Sequence, residues 1–86
     1  MTRSTVELTG IASLAEAYDR FQEALGLPAQ FGRNLDALWD WLRTDVAGPL
    51  TIVWSRRHGL GREGDRLLRL LEDLARERKD VSLRLD

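Results

Sequence analysis

Three stretches of this chain read as strands, and the residues between them repeat at helical spacing. Val6 and Leu8 alternate with Glu7 and Thr9 before Gly10, which gives a half-buried strand near Thr5 to Leu8. Leu50 to Trp54 form a β-branched run after the Gly48–Pro49 break, and Val81, Leu83 and Leu85 alternate with Ser82 and Arg84. Strands joined through helices pair in parallel with right-handed crossovers. Clean alternation in the first and last strands means that one sheet face is wet, since a sheet covered on both faces carries continuous apolar runs. The expectation is therefore an α/β fold of order β-α-α-β-α-β, with two layers: a three-stranded parallel sheet and helices packed on one face.

Local signals place the helices. Ser13 with Glu16 three residues on is a capping-box pattern, and Leu14, Tyr18, Phe21 and Leu25 then share one face, so a helix is predicted over Leu14 to Leu25. Gly26 suits the left-handed residue that closes a helix, and Pro28 prevents its resumption. A loop to Arg33 follows. Asn34 is a good N-cap for a second helix from Leu35 to about Asp45, whose Leu35, Leu38 and Leu42 form the core stripe. After an Arg- and Gly-rich loop, Leu67, Leu68, Leu71, Leu74 and Ala75 carry a third helix up to Lys79.

With 86 residues the chain suffices for one compact domain, 1–86, with a small core. No apolar run approaches the length of a membrane span or a leader, and cysteine is absent, so a cytoplasmic protein without disulfides or thiolate metal sites is expected. Net charge is only −1, but residues 1–50 hold four Arg against seven acids, while residues 51–86 hold nine basic residues against seven acids. Phosphate binding needs concentrated positive charge, so the first half suits a basic protein partner better than nucleic acid.

The second helix carries the candidate chemistry. Asp36 and Asp40 are four apart and share a face turned away from the leucine stripe, with Trp39 beside them. An acid in the first helical turn is explained by the helix dipole alone, which accounts for Asp36. Asp40 lies beyond that turn, opposed by Asp36 and offered only a weak surface pair by Arg43. On spacing alone a solvated face explains both acids. For Trp39 two readings stay open: burial under the preceding loop, or an anchor held ready for a partner.

Phe31 to Asp40 reads FGRNLDALWD and Gly48 to Trp54 reads GPLTIVW, and both closely resemble signature segments of the barstar family. The likeness extends over nearly the whole chain, is strongest from Leu25 to Trp54, and weakens across Ser55 to Asp65, where this chain looks shorter. The resemblance implies an intracellular, non-enzymatic inhibitor that binds one small secreted microbial ribonuclease of the guanyl type as a monomer, without cofactor, metal, nucleic acid or membrane. By position it implies that Asp40 fills the enzyme's phosphate pocket as a substrate mimic and that Asp36 meets a second basic group. Trp39 would pack at the rim, Gly32 and Asn34 would supply close backbone and polar contact, and Gln30, Leu35 and Thr44 would belong to the same partner-binding segment. Asp73, on the third helix, stands about where the family has a supporting acid. Carboxylates pair strongly with the Arg, Lys and His of a phosphate site, and opposed fields speed encounter. The family's type member is itself a reference case for such interfaces, so only a rank is inferred, with Asp40 first. Two departures bear on affinity or choice of enzyme: Gln30 stands where the family tends to carry an aromatic, and Asp45 where the type member has another.

Other signals compete. Gly59 to Gly64 reads GLGREG, a literal match to the dinucleotide fingerprint between a strand and a helix, with Asp86 ending the next strand. In a true fingerprint the first Gly closes the strand directly, whereas Ser55, Arg56, Arg57 and His58 intervene here, and little sheet remains to form a nucleotide crevice. A small nucleotide-binding protein is the alternative on this motif; a barstar-like module recruiting another basic protein is the alternative on the acidic helix. Arg56, Arg57, His58 and Arg62 form a basic patch without interleaved aromatics, which reads as a solvated loop. His58, the only histidine, has no nucleophile or ligand at motif spacing. Asp36 and Asp40 together satisfy the minimum for a Mg²⁺ with waters, an unspecific pattern.

Overall fold

The computed structural model describes residues 4–55 and 60–85. Strands β1 (Ser4–Glu7), β2 (Leu50–Trp54) and β3 (Val81–Leu85) form one parallel sheet in the order β1-β2-β3. Between them lie α1 (Leu14–Leu25), a 3-10 turn (Ala29–Phe31), α2 (Leu35–Asp40) continued by a π turn (Trp41–Asp45), and α3 (Gly61–Glu77). This is the α/β architecture expected from the alternating periodicities.

Register explains the layers. Leu50 lies beside Val81, and Ile52 sits between Val6 and Leu83, so these residues share one face, which is buried in β1 and β2 and at Val81. The opposite face carries the rows Thr5–Thr51–Ser82 and Glu7–Val53–Arg84, exposed or half-buried throughout. The buried face packs on Ala17, Tyr18 and Phe21 of α1, Leu38 of α2, Leu42 of the π turn and Leu67, Leu71 and Leu74 of α3. Each fully buried Leu or Phe contributes about 1.5–3 kcal/mol, and the three α3 leucines at i, i+4 and i+7 turn one face of that helix into the core, where it packs along β3.

The ends of the elements show where local and tertiary forces meet. Ser13 caps α1 as expected, its Oγ accepting from Glu16 N at 3.2 Å. The reciprocal half of the capping box differs: the Glu16 carboxylate accepts from the Ala12 backbone N–H rather than from Ser13. Gly26, at φ 66°, closes α1, and its N–H returns to the Gln22 carbonyl. Helix α3 begins at Gly61, inside the glycine motif, and stops at Glu77, two residues short of the expected Lys79. Arg78 is already extended there, and its guanidinium turns back to carbonyls of Leu42 and Val46.

Candidate functional site

The loop before α2 is held by three side chains of α1, Tyr18, Asp19 and Gln22, and by its own cap. Phe31 is buried and meets Tyr18 edge to face at 5.9 Å, while Gln30 beside it is exposed. Gly32 (φ 87°) and Arg33 (φ 46°) both take left-handed backbone, a conformation that glycine adopts freely and arginine does not. Arg33 is kept there by its guanidinium, which donates to Asp19 Oδ1 at 2.8 Å, Gln22 Oε1 at 2.5 Å and the Ala15 carbonyl at 3.1 Å. It also lies 5.8 Å from the Tyr18 ring centroid. Burial is the main cause that raises the Tyr18 pKa, followed by the negative charge of Glu63.

Asn34 then starts α2: its Oδ1 accepts from Ala37 N at 2.8 Å and its Nδ2 donates to the Gly32 carbonyl at 3.2 Å. One end of that amide is engaged by the loop and the other by the first turn of α2, so Asn34 fixes the loop that carries Gly32 and Gln30 to the helix. A Cβ on Gly32 would stand 3.3 Å from the Ala37 methyl, a tight fit that keeps the loop close to the helix.

Asp36 and Asp40 are exposed on the outer face of α2, and among the described residues neither carboxylate has a hydrogen bond or ion pair. Arg43, the cation at i+3 from Asp40, pairs instead with Glu77 of α3 at 3.2 Å and rests 6.0 Å from the Trp39 ring centroid. Two like charges are thereby left facing solvent without a direct ion-pair partner among the described residues. Thr44, also exposed, donates its hydroxyl to the Asp40 carbonyl at 2.7 Å and lies 3.1 Å from Asp45 Oδ2. The second helix reaches Asp45 as expected, but its last turn is π-helical rather than α-helical, with Val46 N bonded to the Trp41 carbonyl at 3.0 Å. Such one-turn widenings recur at functional sites.

Trp39 is half-buried in a cleft of about 400 Å³ between α2 and α3. Helix α2 contributes Leu35, Asp36 and Trp39 to its lining, and α3 contributes Arg66, Arg69, Leu70 and Asp73. The indole therefore faces the cleft shared with the third helix, while the hollow that reaches Asn34 in the preceding loop is lined without it. Asp73, distant in sequence, joins Asp36 and Trp39 in one cleft, with Arg76 as its ion-pair partner. An adjoining hollow of about 330 Å³ shares Leu35, Asp36 and Arg66 and reaches Asn34 and Tyr18, so the groove continues to the α2 N-terminus.

Sequence reasoning missed two organising residues. Arg33 latches the loop, and its only local signal is its place beside the N-cap. Arg78 donates from Nη1 to the carbonyls of Leu42 at 2.7 Å and Val46 at 2.8 Å, which satisfies acceptors at the end of the π turn. Its Nε and Nη2 hold the Asp80 carboxylate at 3.0 and 2.8 Å, and that hydrogen bonding lowers the Asp80 pKa.

The sequence profile described as Barstar (barnase inhibitor) matches residues 1–86. The chain belongs to the barstar family. A protein of Bacillus subtilis (strain 168), named "Putative ribonuclease inhibitor YrdF", is 37% identical over 67 residues, covering 73% of this chain and 74% of that protein. The segments that prompted the resemblance, FGRNLDALWD and GPLTIVW, form the loop, α2 and β2 of this barstar-family fold.

The competing motifs fare differently within the barstar framework. Gly61, Arg62, Glu63 and Gly64 of GLGREG form the first turn of α3 rather than a connecting loop, while Arg56, Arg57, His58, Gly59 and Asp86 lie outside the described residues. Gly64 has a packing reason of its own, because a Cβ there would stand 2.8 Å from the Leu60 Cβ. Among the described residues no three His, Cys, Asp or Glu side chains gather as a metal site, and no helix is long and apolar enough to cross a membrane.

Proposed function

We propose that this chain is an intracellular protein inhibitor of a small secreted microbial ribonuclease of the guanyl type, acting as a single domain and a monomer in a 1:1 complex, and that it is not an enzyme. The observation that carries the proposal is that Asp36 and Asp40, presented on one face of α2, have no ion-pair partner among the described residues, Arg43 being drawn away to Glu77. Membership of the barstar family and the name of the Bacillus subtilis relative support a ribonuclease as the partner.

In this reading Asp40 enters the phosphate pocket of the enzyme, where Arg, Lys or His donors form charge-assisted hydrogen bonds to it. Asp36 extends the negative surface toward the α2–α3 cleft, where Asp73 stands paired with Arg76, and the half-buried Trp39 and Leu35 supply apolar contact beside them. Gln30, Gly32 and Thr44 border the contact, and Asn34 maintains its shape. The π turn and the Arg78 clamp hold the far end of the second helix, so that little ordering remains to oppose binding.

Inhibition of a panel of small secreted microbial ribonucleases, measured in low and moderate salt beside Asp40→Ala, tests this. Tight, salt-sensitive inhibition that Asp40→Ala weakens by at least about 100-fold is expected, since breaking a desolvated charge pair costs about 3–5 kcal/mol. Equal inhibition by the variant would remove Asp40 from the site, and an unaffected panel would transfer the acidic helix to some other basic protein.

A further inference from the structure

The α2–α3 cleft is not uniformly acidic. Its α3 wall carries Arg66 and Arg69, one turn apart and on the same helical face as Leu70 and Asp73. Both arginines are exposed, and among the described residues neither forms a salt bridge or a hydrogen bond. Asp73 does not neutralise them, because its carboxylate pairs with Arg76. Asp36 lines the cleft together with Arg66, yet no salt bridge joins the two. The surface that presents Asp40 to a basic pocket therefore places two uncommitted guanidinium groups beside half-buried Leu35, Trp39 and Leu70.

At the α3 wall, away from Asp36, a basic side chain meets the like charge of Arg66 and Arg69, whereas a carboxylate finds two planar donors beside apolar Leu70 and Trp39. The geometry points to a selectivity element: Arg66 and Arg69 take an Asp or Glu that the ribonuclease carries beside its phosphate site, and they disfavour enzymes with Lys or Arg at that place. The inference rests on the inhibitor reading and adds the charge pattern required of the partner, basic opposite Asp40 and acidic opposite α3. It also assigns the choice of enzyme partly to α3, rather than to Gln30 and Asp45 alone.

The test titrates inhibition of the same ribonuclease panel by the full chain, Asp40→Ala, the pair Arg66→Ala and Arg69→Ala, and the pair Arg66→Glu and Arg69→Glu, with circular dichroism and melting to show that each variant folds. For the ribonuclease inhibited most tightly, the alanine pair should weaken inhibition roughly 5–10-fold and the glutamate pair roughly 50-fold or more, as two rim charge pairs are lost and then reversed. Changing rim acids of that ribonuclease to Lys, one at a time, should identify a position that restores inhibition by the glutamate pair. Asp40-dependent inhibition that the glutamate pair leaves unchanged or strengthens overturns the selectivity element while the inhibitor reading stands. If no ribonuclease in the panel is inhibited, the inhibitor reading fails and this inference falls with it.

Discussion

Replacing Arg78 with alanine separates the contribution of a tertiary clamp from that of an ordinary surface ion pair. The side chain is only 16% exposed and delivers one guanidinium nitrogen to two carbonyls, Leu42 and Val46, at the end of the π turn. Hydrogen bonds from a charged donor contribute about 1.5 kcal/mol or more each, and water recovers part of that at the vacated carbonyls, so Arg78→Ala should cost about 2–3 kcal/mol. For a domain of this size that lowers Tm by roughly 8–24 °C. Urea unfolding followed by far-UV circular dichroism reads the change as a lower midpoint at unchanged slope.

Asp80→Asn serves as the control, because it weakens the contact with Arg78 but leaves both carbonyl bonds in place; Asp80 is 46% exposed, so its effect should be much smaller. Arg78→Lys should recover only part of the loss, since a single ammonium cannot serve two carbonyls and a carboxylate with the reach of a planar fork. The reasoning is refuted if Arg78→Ala costs less than about 1 kcal/mol, the value of an exposed ion pair, or if Asp80→Asn costs as much.

Gly64→Ala should bring no stability: an exposed helical Gly→Ala usually gains up to about 1 kcal/mol, but the new methyl collides with Leu60, so a clear rise in Tm would contradict the packing account. The lowered Asp80 pKa contributes stability that is complete above the unfolded carboxylate value near ~3.9 and is lost as pH falls through the lower folded value, so Arg78→Ala should flatten this part of the acid limb. Tyr18 behaves in the opposite sense: its raised pKa gives stability present below about pH 10 and lost as pH rises through the folded value, which an ultraviolet titration of tyrosinate should register as late ionisation. Arg33→Ala should destabilise the loop before α2 and weaken ribonuclease inhibition with Asp40 intact, while Arg33→Gly, which relieves the left-handed backbone but loses the latch, should recover only part of the stability.

Much of the fold is written in short-range periodicity. Alternation in Val6–Leu8 and Val81–Leu85, the β-branched run at Leu50–Trp54 and the leucine spacing of the second and third helices determine which faces must be buried, and three strands joined through helices then leave a parallel sheet with one covered face. Ser13, Gly26 and Asn34 mark helix ends within a residue because their side chains or backbone act on partners no more than about four residues away. The shared face of Asp36 and Asp40 follows from the same helical geometry.

What spacing left open depends on partners far along the chain. Whether Arg43 answers Asp40 or Glu77, whether Trp39 lies under the loop or against α3, and whether Asp73 meets Asp36 are decided by how α3 seats on the sheet. The final turn of the second helix widens to π geometry where Arg78 takes the Leu42 and Val46 carbonyls, a contact across 36 and 32 residues that no local window contains. Periodicity specifies which side of an element turns inward. The pairing of one exposed charge with another is a small energy difference between competing surface contacts, and only the packed tertiary structure, which sets the distances, selects among them.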